Sequence, residues 1–117
     1  MSKTLFILND PPYGTERSYN ALRLAGSLAK LEGEEVSVFL LGDAASCAKA
    51  GQQTPNGYYN IERMLRAVGR RGAQIAVCGT CMDARGLGDD DLTEPAQRST
   101  LDELTEWSRR ADRVLVF

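Results

Sequence analysis

Four short apolar runs punctuate an otherwise amphipathic chain. They lie within Lys3–Leu8, Val36–Leu41, Gln74–Cys78 and the closing RVLVF. Their apolar residues are contiguous rather than alternating, as in Leu5-Phe6-Ile7-Leu8, which is the pattern of a strand buried on both faces. Between the runs the period changes. From about Thr15 to Leu31 the residues Ala21, Leu24, Ala25, Leu28 and Leu31 fall on one helical stripe, with Gly33 as its stop. Ala44–Ala50 is a weaker helical segment, followed by the loop GQQTPNG. Asn60 is a plausible N-cap for a helix with Ile61, Met64, Leu65 and Val68 on one side. The segment Asp83–Gln97 is polar and rich in glycine and acid, and reads as mostly loop. Thr100 and Glu103 have capping-box spacing ahead of a helix carrying Leu101, Leu104, Trp107 and Ala111.

This alternation of strand and helix predicts an α/β fold: a three-layer sandwich with a mainly parallel central sheet, in one domain over residues 1–117. Right-handed crossovers then line the loops after the strands along one edge of the sheet, where such folds bind ligands. Cys78 closes the third strand and so falls on that edge. The PPYG loop and Gly42-Asp43 join it there.

Composition narrows the chemistry. With 14 basic and 16 acidic residues the net charge is −2, so no global field favours nucleic acid or an anionic membrane as partner. The N-terminal apolar run, TLFIL, is shorter than a signal-peptide core or a membrane span, and the expected setting is cytoplasmic. No Walker or dinucleotide glycine signature calls for a nucleotide, and no cofactor is expected. The chain has three cysteines and no histidine. That removes Ser-His-Asp and Cys-His catalysis and every mixed Cys/His zinc site within one chain. Chemistry must come from thiols, carboxylates, tyrosine, lysine, arginine or backbone dipoles.

The thiols of the segment QIAVCGTCMDARG then carry the argument. Zinc lacks ligands, because only Cys47 remains to join Cys78 and Cys81, and no metal site is expected. CGTC has the spacing of a reversible disulfide, although thioredoxin-like folds place the motif after an early strand and supply a nearby proline. A third use is sulfur transfer, in which Cys78 attacks a persulfide and holds the outer sulfur. That requires a deprotonated thiol, an unobstructed backbone beside it, and access for a protein partner. Backbone N–H groups of Gly79, Thr80 and Cys81 would stabilise the thiolate, Gly79 would leave room, and Arg85 would add positive charge. The plain alternative makes Cys78 core and Cys81 loop, without function. Cys47, in the small-residue run AASCAKA, is expected to be inert packing.

Taken together, several segments in order resemble the DsrE/TusD-like sulfur-relay family, in its YchN-like branch. They are the first strand and PYG loop, NALRLA, FLLGDA, GYYNIERML, CGTCMDARGL and TLDELTEWSRRADRVLVF. The resemblance implies a small α/β domain that assembles as a trimer or hexamer, with a sulfane-carrying cysteine near a subunit boundary. The family's carrier precedes an Arg-Gly pair at the spacing of Cys78 from Arg85-Gly86, which maps the carrier onto Cys78. Cys81 departs from the single-cysteine pattern and would be a resolving or auxiliary thiol. Sulfur donor and acceptor proteins are the partners so implied. Two rivals remain open: a dithiol–disulfide oxidoreductase using the same pair, and a non-catalytic oligomeric binding or regulatory protein.

Other features read two ways. Tyr13, with Gly14, either faces the site as a substrate-binding group or belongs to a rigid turn. GYYN either lines the site or packs between subunits. Arg66, Arg70 and Arg71 suit a solvated helix end. Asp89–Asp91 lacks the alternating spacing of a calcium loop, and Trp107 is expected in the core.

Overall fold

The structure is a computed structural model that describes residues 1–55 and 59–117. Five strands form one sheet: β1 (Ser2–Leu8), β2 (Glu34–Leu40), β3 (Gln74–Cys78), β4 (Gln97–Ser99) and β5 (Arg113–Val116). Their order is β4-β3-β2-β1-β5 and every pairing is parallel. The helices are α1 (Arg17–Ala29), α2 (Ile61–Arg70), α3 (Gly79–Asp83) and α4 (Leu101–Arg110), with a 3₁₀ helix at Gly42–Ala48. The expected α/β sandwich is therefore present, and fully parallel.

The contiguous apolar runs divide cleanly between the two faces. Phe6, Leu8, Val36, Val38, Leu40, Ile75 and Val77 point to the side covered by α1, α2 and the 3₁₀ helix. Leu5, Phe39, Ala76 and Cys78 point to the other side, where Leu104 of α4 closes over them. Trp107 is half-buried there and meets Phe39 edge-on at 5.8 Å. That second face is thinly covered: Leu101, Val114 and Val116 stay 67%, 42% and 64% exposed.

Three expectations need correction. The α1 stripe is rotated. Ser18, Ala21, Leu22, Ala25 and Gly26 are buried, while Leu24 and Leu31 face outward. Small residues at 21 and 25 let α1 lie close on the core while Gly26 leaves room for Val68 of α2 and for Arg71, and these contacts outrank the longer leucine stripe. The four apolar runs predict four strands and a fifth forms: beyond the segment Asp83–Gln97, which is mostly loop as expected, the edge strand β4 spans Gln97–Ser99. Two of its three side chains are exposed, so it carries no apolar signal. Finally, only half of the capping box forms. Thr100 Oγ1 accepts the Glu103 N–H at 3.2 Å, but the Glu103 carboxylate turns to the Ser99 hydroxyl. Ser99 is buried, and a buried hydroxyl takes a partner where one is in reach. The Asn60 cap does form, its Oδ1 accepting the Arg63 N–H at 3.0 Å.

Cys47 is wholly enclosed, with Sγ facing the Asp10 carbonyl at 3.7 Å. Burial, partly offset by the Ser18 hydroxyl, pushes its thiol up to about 12. An unfolded chain ionises a cysteine at about 8.5, so between these values the folded state binds the extra proton and stability falls as pH rises. The loss approaches ~1.4 kcal/mol per pH unit once the unfolded thiol is ionised. Urea unfolding at pH 8 and pH 10 is therefore expected to show wild type losing about 1–2 kcal/mol more than Cys47→Ala over that interval. Equal losses would contradict it.

Candidate functional site

β3 passes into α3 without a loop residue. Cys78 is both the last residue of the strand and the N-cap of the helix, at φ −59° and ψ 118°. This elbow aims the side chain of Cys78 at the first turn of α3. Its Sγ lies 3.2 Å from Thr80 Oγ1. Cys78 keeps 7% of its surface and Cys81 is half-buried, and all three cysteines are free thiols.

The two site thiols are driven in opposite directions. Burial works against the Cys78 thiolate, but the Thr80 hydroxyl, the Cys81 thiol and the backbone N–H groups of Cys81 and Thr80 outweigh it, and its pKa is lowered. Cys81 is raised, by burial first and then by donating its proton toward Cys78, with the Gly42 backbone and Arg85 opposing. One thiol is thus prepared as an anion and its neighbour as the donor that steadies it.

Arg85 serves Cys81 rather than Cys78. Its Nη1 donates to the Cys81 carbonyl at 3.0 Å, and Nε and Nη2 reach Asp43 Oδ1 at 3.1 and 2.8 Å. The pair ties α3 to the segment after β2. Gly79 plays a different part from the expected clearance. A Cβ there would stand 2.9 Å from Arg98 Nε and 3.1 Å from the Ser99 carbonyl oxygen, so the missing side chain admits β4 itself. Arg98, which sequence reasoning passed over, then grips Asp83 through both η nitrogens at 3.0 and 2.8 Å. That fork holds the Asp83 carboxyl below the usual range.

Tyr13 and Gly14 stand on the loop after β1. The Tyr13 hydroxyl donates to Gln52 Oε1 at 2.6 Å and accepts the Ile61 N–H at 3.1 Å, bracing that loop against α2. Gly14 turns the chain at φ +103°. Of the GYYN segment, Tyr59 stacks on Tyr19 at 3.9 Å, while Gly57 and Tyr58 lie outside the described residues. A cavity of about 350 Å³ opens at the opposite edge of the sheet, lined by Thr4, Glu34, Arg71 and Trp107 among others, and shares no residue with the thiol site. No cysteine lines that cavity. Among the described residues no group of three or more cysteines and carboxylates gathers where an ion would sit.

The whole of this architecture has counterparts. The model of the DsrE/DsrF-like family matches residues 2–117. The chain belongs to the DsrE/DsrF-like family. It is 36% identical to protein YchN of Escherichia coli over 118 residues, covering all of both chains. It is 38% identical to an uncharacterised protein of Methanopyrus kandleri over 111 residues, 95% of this chain and 90% of that one. The crystal structure of the Escherichia coli YchN protein superposes over both full chains with a TM-score of 0.94. A protein of unknown function from Methanobacterium thermoautotrophicum shares the fold at a TM-score of 0.78 and 13% identity, again over both full chains. The DsrE-like family is associated with sulfur relay. Among the described residues no helix is long and apolar enough to cross a membrane.

Alkylation across a pH series tests the opposed thiols. Cys78 is expected to show its half-point below the ordinary ~8.5, and Thr80→Val to move it upward, toward that of a free thiol. A wild-type half-point at or above 8.5 would remove the activation argument.

Proposed function

We propose that this chain carries sulfane sulfur on Cys78, as a sulfurtransferase-like member of a relay acting in the cytoplasm, with one DsrE-like domain over residues 1–117. The observation that carries the reading is the set of donors turned on Cys78 Sγ: the Thr80 hydroxyl at 3.2 Å, the Cys81 thiol and two backbone N–H groups. A thiolate so held attacks the outer sulfur of a donor persulfide. The S–S bond of the donor breaks, the donor leaves as a thiolate, and Cys78 becomes Cys78–S–SH. An acceptor thiol repeats the exchange in the other direction. No net oxidation occurs, so no cofactor is needed. Gly79 and Thr80 shape and charge the site, Arg85 anchors Cys81, and Tyr13 with Gly14 supports the rim that a donor or acceptor protein would approach.

A homo-oligomer, trimer or hexamer, goes with this reading. The thinly covered face supports it, since Leu101 of α4 and, on the far edge strand β5, Val114 and Val116 leave apolar surface on the face of the sheet that also holds Cys78. Light scattering is expected to give a multiple of the 12.8 kDa chain mass for wild type and a smaller species for Val116→Asp. A monomeric wild type at micromolar concentration would refute self-association.

A second reading is favoured by the contact between the two thiols. As a dithiol oxidoreductase, Cys78 and Cys81 would close a disulfide while a substrate disulfide is reduced to two thiols. Intact mass separates the readings. After incubation with a cysteine desulfurase and cysteine, the carrier is expected to gain one sulfur removable by reductant, lost in Cys78→Ser and kept in Cys81→Ser. No sulfur uptake, with loss of two hydrogens on mild oxidation, would replace the carrier by the redox reading.

A further inference from the structure

Sulfur exchange moves protons as well as sulfur, and this chain has no histidine to take them. Ser99 is paired in register with Cys78 on the neighbouring strand. Partners in a parallel pair project to the same face, about 4.8 Å apart. Leu104 of α4 roofs that face together with Cys78. Ser99 is 9% exposed and donates its hydroxyl proton to Glu103 Oε1, from the first turn of α4. With that proton committed, Ser99 Oγ meets anything entering beside Cys78 with lone pairs only. It suits an incoming S–H and disfavours an incoming thiolate.

We infer that Ser99 and Glu103 form a hydroxyl–carboxylate relay that takes the proton of a neutral acceptor thiol while that thiol collects sulfur from Cys78. The inference rests on the carrier reading and names the protonation state of the substrate. The step balances as R–SH + Cys78–S–SH + Glu103–COO⁻ giving R–S–SH + Cys78–S⁻ + Glu103–COOH. One S–S bond forms as another breaks, and the acceptor's proton reaches the carboxylate through the serine hydroxyl. On reloading, Glu103 returns that proton to the departing donor thiolate, which is released as a thiol and resets both groups. The other charged or titratable neighbours are engaged elsewhere. Cys81 donates toward Cys78, Arg85 holds Asp43, and Arg98, which holds Asp83, also lies in Coulombic reach of Cys78, but as a cation it cannot take the acceptor's proton. Removal of the relay leaves the acceptor to ionise in water before it attacks.

The experiment is single-turnover discharge of sulfur-loaded protein to small thiols of different pKa, for wild type, Glu103→Gln and Ser99→Ala. With an acceptor that is protonated at pH 7, both variants are expected to slow by roughly 10- to 100-fold. With an acceptor already ionised, or above its pKa, the three proteins should discharge alike. A merely structural role for the pair would slow every acceptor equally at every pH, and that result, or no slowing at all, would overturn the inference. Failure of wild type to load sulfur would instead sink the carrier reading. Ser99→Thr, which keeps the hydroxyl, should retain most of the wild-type rate.

Discussion

Where β3 runs straight into α3, the backbone of Gly79 lies against the Arg98 side chain and the Ser99 carbonyl, and any Cβ would stand within about 3 Å of both. This contact sets the position of everything around the thiols. It lets a three-residue strand pair in parallel with the end of β3, which brings Ser99 beside Cys78. Because the helix starts at once, the N–H groups of its first turn fall within reach of the sulfur. The Arg98–Asp83 fork then fixes the far end of α3, and Arg85 fixes it again through Asp43. These ion pairs are exposed, so their contribution is placement more than stability.

The sheet supports this elbow unequally. One face is sealed by two helices and a 3₁₀ helix, and Cys47 is enclosed there as inert filling. The other carries α4 alone, and Cys78 lies on it. Cys78 is itself buried, with 7% of its surface left, but unlike Cys47 it has several donors turned on its sulfur. Full enclosure would raise its pKa, as it does for Cys47, while full exposure would weaken each hydrogen bond that holds the anion.

Strand and helix order were legible because burial on both faces leaves contiguous apolar runs, and because Asn60 and Thr100 cap where short polar side chains should. The place of Cys78 was legible too, since a cysteine closing a parallel strand must lie on its carboxyl edge, whereas the direct passage of β3 into α3 was not. Arg98 and Ser99 were not. They belong to a strand of three residues whose pairing is all backbone, and backbone pairing leaves no side-chain period to read. Arg85 was placed near the thiols but on the wrong sulfur, because spacing along α3 does not say which carboxylate the guanidinium will find.

Sequence alone determined the architecture, the edge on which the thiols sit, and the exclusion of histidine chemistry, since each follows from local pattern or composition. Tertiary structure decided which thiol is lowered and which is raised. It also decided that Gly79 makes room for β4, and that Ser99, bonded to Glu103, pairs in register with Cys78. The register of β4 on β3 and the Arg85–Asp43 tie depend on contacts between segments far apart in the chain, and even the local donors from Thr80 and Cys81 act on Cys78 by direction and distance, which residue type does not set.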